Sequence, residues 1–69
     1  MTELERVQDE IDALLGTVRG GWSDIVTKPL TKEARARERE NIARYEAELF
    51  DLLTMRDVLR AAERAADAD

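Results

Sequence analysis

The stretch LERVQDEIDALLGTV, residues 4–18, decides the fold: Leu4, Val7, Ile11, Leu14 and Val18 recur at alternating steps of three and four. That rhythm lays one apolar stripe along a helix, because side chains three and four apart share a face. It returns in residues 42–59, through Ile42, Tyr45, Leu49, Leu52 and Leu59. Between the stripes stands Pro29, the single proline of the chain, which disfavours helical backbone at the residue before it. An all-α antiparallel helical hairpin follows, with two amphipathic helices folded together across the turn.

Local signals set the boundaries. Thr2 with Glu5 three residues later is a capping box, so the first helix starts at about Glu3. Glu3 and Glu5 also complement the helix dipole there. This helix is secure to about Arg19, where Gly20-Gly21 would cost roughly 2 kcal/mol relative to two alanines if kept helical. A break or kink is therefore expected, leaving residues 20–31 as an interrupted elbow in which Ser23 caps a short turn over Asp24 to Thr27. Thr31 is the expected N-cap of the second helix, which runs from Lys32 to about Ala66. At 1.5 Å per residue it spans roughly 50 Å.

Glu33–Arg37, Glu40–Arg44 and Arg44–Glu48 stand at helical i,i+4 spacing. The closing Ala-Asp-Ala-Asp should fray, because acids at a helix C-terminus oppose the dipole. Spacing also suggests a register: Val18 with Ile42, Leu14 with Tyr45, Ile11 with Leu49 and Val7 with Leu53, with Leu30 in the turn.

Sixty-nine residues make one small domain, residues 1–69, and a domain of that size usually needs a staple. The chain has no cysteine and no histidine, which removes disulfides and the usual structural zinc sites. Oligomerisation is the device left, so a homodimer closing into a four-helix bundle is expected. The sequence opens at Met1 directly into a charged helix, with no apolar run near the roughly 20 residues of a membrane span. A soluble, cytoplasmic protein with no membrane partner is expected. Arginine outnumbers lysine nine to two, a bias of GC-rich bacterial or phage coding sequence that speaks only to origin.

Net charge is −5, which argues against a general nucleic-acid binder. Its distribution is uneven. Residues 1–15 carry −4, residues 28–44 carry +3 and residues 45–69 carry −4. A folded hairpin therefore has an acidic open end and a basic elbow.

Two apolar sets lack partners within one hairpin. Trp22, Ile25 and Val26 share a helical face near Leu30, opposite a segment that offers only Ala34 and Ala36. Phe50, Leu53, Met55, Val58 and Ala62 widen the second helix's stripe beyond what one neighbour covers. In an antiparallel dimer, Met55, Val58, Leu59 and Ala62 of one copy would cover Trp22, Ile25 and Val26 of the other. Alternatively, the Trp22 cluster docks a different protein, as an aromatic anchor rimmed by Lys28, Lys32 and Arg35.

Catalytic chemistry finds little support. Ser23 is the single serine and has no base near it in sequence, and Asp9, Glu10 and Asp12 take solvent-facing helix positions. No calcium loop, phosphate loop or Glu-x-x-His motif is present. The segment LERVQDEIDALL, residues 4–15, is similar to the opening helix of helical chorismate mutases. The second and third helices of that family have no match here, so no enzymatic role is carried over.

Lys32, Arg35, Arg39 and Arg44 form a stripe able to contact phosphates. In size, hairpin pattern and acidity the chain is similar to the Rop-type hairpin dimers, which implies an RNA- or DNA-binding regulator as the alternative function. The plainer reading pairs these arginines with Glu33, Glu38 and Glu40 on a solvated face. A third variant uses Asp57, Glu63, Asp67 and Asp69 with Glu3, Asp9 and Glu10 as a phosphate-like acidic row, interrupted by Arg56, Arg60 and Arg64. Arg56 itself falls on the apolar seam, where its stem would line the core and its head pair with Glu3 or Glu5.

The sequence thus leads to a non-enzymatic protein–protein interaction module: an adaptor, assembly factor or regulator, of phage type on the codon argument. It needs no cofactor, no metal and no small-molecule substrate. Trp22, Ile25, Val26 and Leu30, with Arg35 and Arg39 at the rim, are the expected contact residues.

Overall fold

Thr2 opens the first helix through its own side chain, its Oγ1 accepting from the Glu5 N–H at 3.1 Å. Its carbonyl accepts from the Arg6 N–H at 3.1 Å, so two amides that start the helix are satisfied. In the computed structural model, which describes residues 1–67, this helix is α1 (Glu3–Thr27). The second, α2 (Lys32–Asp67), begins the same way, with Thr31 Oγ1 accepting from the Ala34 N–H at 3.1 Å. Both caps stand where the sequence placed them.

The expected interruption at Gly20-Gly21 does not occur. α1 runs unbroken through both glycines to Thr27, and among the described residues none has positive φ. Packing explains the difference. A Cβ built on Gly21 would lie 2.8 Å from Ile42 Cγ1 and 3.0 Å from its Cδ1, so glycine is what lets α2 come this close. Burial of Ile42 against a bare backbone outweighs a propensity loss of about 1 kcal/mol per glycine. Ser23 accordingly caps nothing: it sits inside α1, where its carbonyl accepts from Thr27 Oγ1 at 2.7 Å.

The connection between helices is short. Lys28 leaves helical space at φ −96°, ψ 144°, as its place before Pro29 requires, while its N–H still reaches the Asp24 carbonyl. Leu30 donates to the Lys28 carbonyl at 2.9 Å, which closes a three-residue turn centred on Pro29.

The close approach at Gly21 also sets the register. With Gly21 level with Ile42, Val18 falls opposite Tyr45, Leu14 opposite Leu49, Ile11 opposite Leu52 and Val7 opposite Arg56. This is about one helical turn from the spacing-based register, in which Ile42 faced Val18. The heptad-like pattern admits both alignments, and the glycine selects one.

Between the helices lies a thin core. Among the described residues only Val7, Ile11, Ile25 and Ile42 are buried, with leucines along the seam half-covered. The molecule measures 58 × 17 × 15 Å with a radius of gyration of 16.3 Å, where a compact domain of this length would have about 11 Å. Its accessible surface is 5339 Å², against about 4400 Å² for a compact monomer of its mass. Among the described residues no helix is long and apolar enough to cross a membrane.

Candidate interaction surface

Three consecutive residues, Gly20, Gly21 and Trp22, give the hairpin two unlike flanks. Residues in a helix turn by about 100° each, so Gly21 at the helix contact leaves Trp22 on one side and Gly20 on the other. The glycine flank holds a shallow polar groove, with Thr17, Gly20 and Asp24 from α1 and Glu38, Asn41 and Tyr45 from α2 around the Gly21–Ile42 contact. Asp24 binds Lys28 there at 3.3 Å.

The opposite flank carries exposed apolar groups, with arginines towards the elbow and acids towards the open end. Trp22 is 44% exposed and Val26, one turn on, 81%. Leu15 lies two turns back on the same side. On α2, Arg35, Arg39, Glu46, Phe50, Leu53 and Asp57 sit between about 20° and 80° from Ile42 in this direction. Phe50 is 69% exposed. By the register it stands roughly 14 Å from Trp22 along the axis.

The six contact residues expected from sequence therefore separate. Ile25 points inward and is only 7% exposed, because it falls four residues beyond Gly21 on the α2 side. Leu30 is half-buried in the turn. Trp22 and Val26 remain on the surface, and Arg35 and Arg39 share their flank. Met55, Val58 and Ala62 turn to the glycine side of α2 or its back, so they do not share a flank with Trp22. Sequence pattern alone missed this, since it depends on the rotation that Gly21 imposes.

The charges also differ from expectation. Among the described residues the ion pairs are Arg6–Glu3 at 3.8 Å, Lys28–Asp24 and Arg56–Asp57 at 3.2 Å. Glu33–Arg37, Glu40–Arg44 and Arg44–Glu48 do not close, as is common for solvated pairs whose gain barely exceeds their side-chain entropy. Neither Arg35 nor Arg39 pairs with Glu33, Glu38 or Glu40. Arg56 turns to its neighbour Asp57 rather than to Glu3 or Glu5, using both Nε and Nη2. Its side chain is 24% exposed, so the stem is largely covered while the head reaches Asp57.

No group of three or more metal-binding side chains occurs among the described residues. The acidic row proposed from sequence includes Asp69, which lies outside the described residues. Compared with known proteins, the chain matches no family, no characterised relative and no solved structure.

Proposed function

We propose that this chain is a non-enzymatic protein–protein interaction module, an adaptor, assembly factor or regulator that works through the Trp22 flank. One observation carries the reading: a tryptophan and a valine stand exposed on a single helical turn, on the same flank as Arg35 and Arg39, which form no ion pair among the described residues. Aromatic anchors next to arginine are the composition of interface centres. Complete burial of Trp22 alone would contribute about 2–3 kcal/mol.

The test is a photo-crosslinking side chain placed at Val26, which is already solvent-facing, with a control at Arg37 on the other side of α2. A protein partner should be captured from position 26 and lost when Trp22→Ala is added. Equal capture from both positions would refute the assignment.

Nucleic-acid binding by a Rop-like dimer is the second reading, favoured by the absence of the Glu partners expected for Arg35 and Arg39. It forecasts the reverse pattern. Binding would fall steeply with salt and with Arg35→Ala or Arg39→Ala, and be indifferent to Trp22→Ala.

A further inference from the structure

We infer that a twofold axis at Leu15 joins two copies of this chain through their Trp22 flanks, α1 on α1 and α2 on α2. This rests on the interaction reading above and names its partner. The face of α1 that carries Trp22 is spaced symmetrically. Leu4 stands five full turns before Trp22, and Gln8, Leu15 and Val26 lie within about 40° of that line. Leu15 is the midpoint of the set, with Leu4 and Val26 equally far from it, and Gln8 and Trp22 likewise. It is also the middle residue of α1, Glu3–Thr27. A twofold contact needs such spacing, because each residue must meet its image in the other copy. With the axis there, Val26 falls on Leu4 of the partner subunit. Trp22 falls on Gln8 of the partner subunit, in the gap between the partner subunit's Leu4 and the partner subunit's Ile11.

The second helix supports the same axis independently. The register that sets Gly21 level with Ile42 sets Leu15 level with Glu48. Arg39 and Asp57 stand equally far from Glu48 and share the Trp22 flank, so Arg39 meets Asp57 of the partner subunit, twice in the dimer. Both partners are available: Arg39 forms no ion pair among the described residues, and Arg56 takes only Oδ1 of Asp57. Leu53 falls on Ala43 of the partner subunit, and the two Phe50 rings stand one turn apart across the axis. Lys32 and Arg64 of the partner subunit, alike in charge, meet only at the ends of the overlap, where salt screens them. Setting both elbows at the same end would instead lay α1 on α2. Trp22 and Val26 would then lie beside Arg39 and Arg35 of the partner subunit, with the two basic elbows side by side, so charge favours the antiparallel pair.

Area agrees as well. The 25 residues of α1 at about 1.5 Å each, over a width of 17 Å, give a face of roughly 640 Å² per copy. Two copies together contribute about 1,300 Å², within the range of specific interfaces.

Reciprocal charge reversal tests the pairing in solution. Arg39 and Asp57 lie about 27 Å apart along α2, too far to touch within one chain. Arg39→Glu alone sets acid against acid at both places in the dimer, and Asp57→Arg alone sets base against base. Each single variant should dimerise roughly tenfold more weakly than the parent chain by sedimentation equilibrium. An equimolar mixture restores two opposite-charge contacts between chains and should recover the dimer. An effect within one chain cannot produce that rescue. Leu15→Cys tests the axis itself, because the chain has no cysteine of its own. Under mild oxidation it should link two copies, whereas Ala13→Cys, on the glycine flank, should not.

The single tryptophan reports the burial directly, and its emission should shift to the blue as the parent chain is concentrated. A chain that stays monomeric, a dimer whose tryptophan stays wet, a mixture no tighter than its components, or Leu15→Cys linking no better than Ala13→Cys would overturn the inference. Crosslinking of a foreign protein at position 26 by a monomeric chain would likewise exclude the second copy, while leaving the interaction reading in place. If a monomeric chain captures nothing at that position, both fail together.

Discussion

Gly21 and Trp22 are neighbours in sequence, yet they belong to opposite economies of burial. At Gly21 the chain gives up a side chain, so that α2 can approach until Ile42 is 2% exposed. At Trp22 it keeps its largest side chain and leaves nearly half of it in water. The glycine side is complete within one chain, with a polar groove where the helices diverge. The tryptophan side is incomplete within one chain. A side chain at position 21 would hold the helices apart at Ile42, whereas the side chain at Trp22 lies beside the contact and leaves it undisturbed.

The largest effect should come from the completed side. Ile42→Ala removes a buried side chain from a core of four, and should cost about 3 kcal/mol, enough to unfold much of a chain this short. Denaturant titration followed by far-UV circular dichroism, at fixed protein concentration, measures it. Should Ile42→Ala cost no more than an exposed substitution, the glycine side is not the structural one.

Gly21→Leu should come next, with a loss of about 1–3 kcal/mol from overpacking against Ile42. Gly20→Ala is its counterpart and should go the other way. A Cβ there meets nothing within 4 Å, so the variant should gain roughly 1 kcal/mol of helix propensity. Opposite signs at adjacent glycines would establish that one is a packing residue and the other a vacancy. Equal signs would mean the helices approach elsewhere.

Thr31→Ala should cost about 1 kcal/mol through the lost cap on Ala34. It calibrates the scale independently of either flank. The smallest effect on the isolated chain belongs to Val26→Ser, within about 0.5 kcal/mol when measured at concentrations too low for association. If that substitution is strongly destabilising in the monomer, the residue is not the exposed group described here.

Both caps, the stop before Pro29 and the two apolar stripes could be read from the sequence because each rests on neighbours within four residues. Thr2 and Thr31 bond to amides three positions away, and Lys28 is constrained by the residue after it. Gly20-Gly21 could not be read this way. Propensity predicts a break, and only the distant Ile42 supplies the contact that keeps the pair helical. The exposure of Val26 and the burial of Ile25 were equally hidden. One helical face contains both, and a rotation of α1 set by Gly21 decides which turns inward. Arg56 shows the limit for charges: its long side chain reaches Asp57, an adjacent residue that helical spacing would send elsewhere.

The three-residue turn around Pro29 also bears on the order in which this chain assembles. With only Lys28 to Thr31 between the helices, closing the loop costs little conformational entropy, and every cross-helix contact lies a short zip away from the one before it. Such local topology folds in microseconds to milliseconds. The hairpin should therefore nucleate at the bend, catch on Ile25 and Ile42, and seal towards Leu4 and Leu59, which are the last to dock and the first to fray.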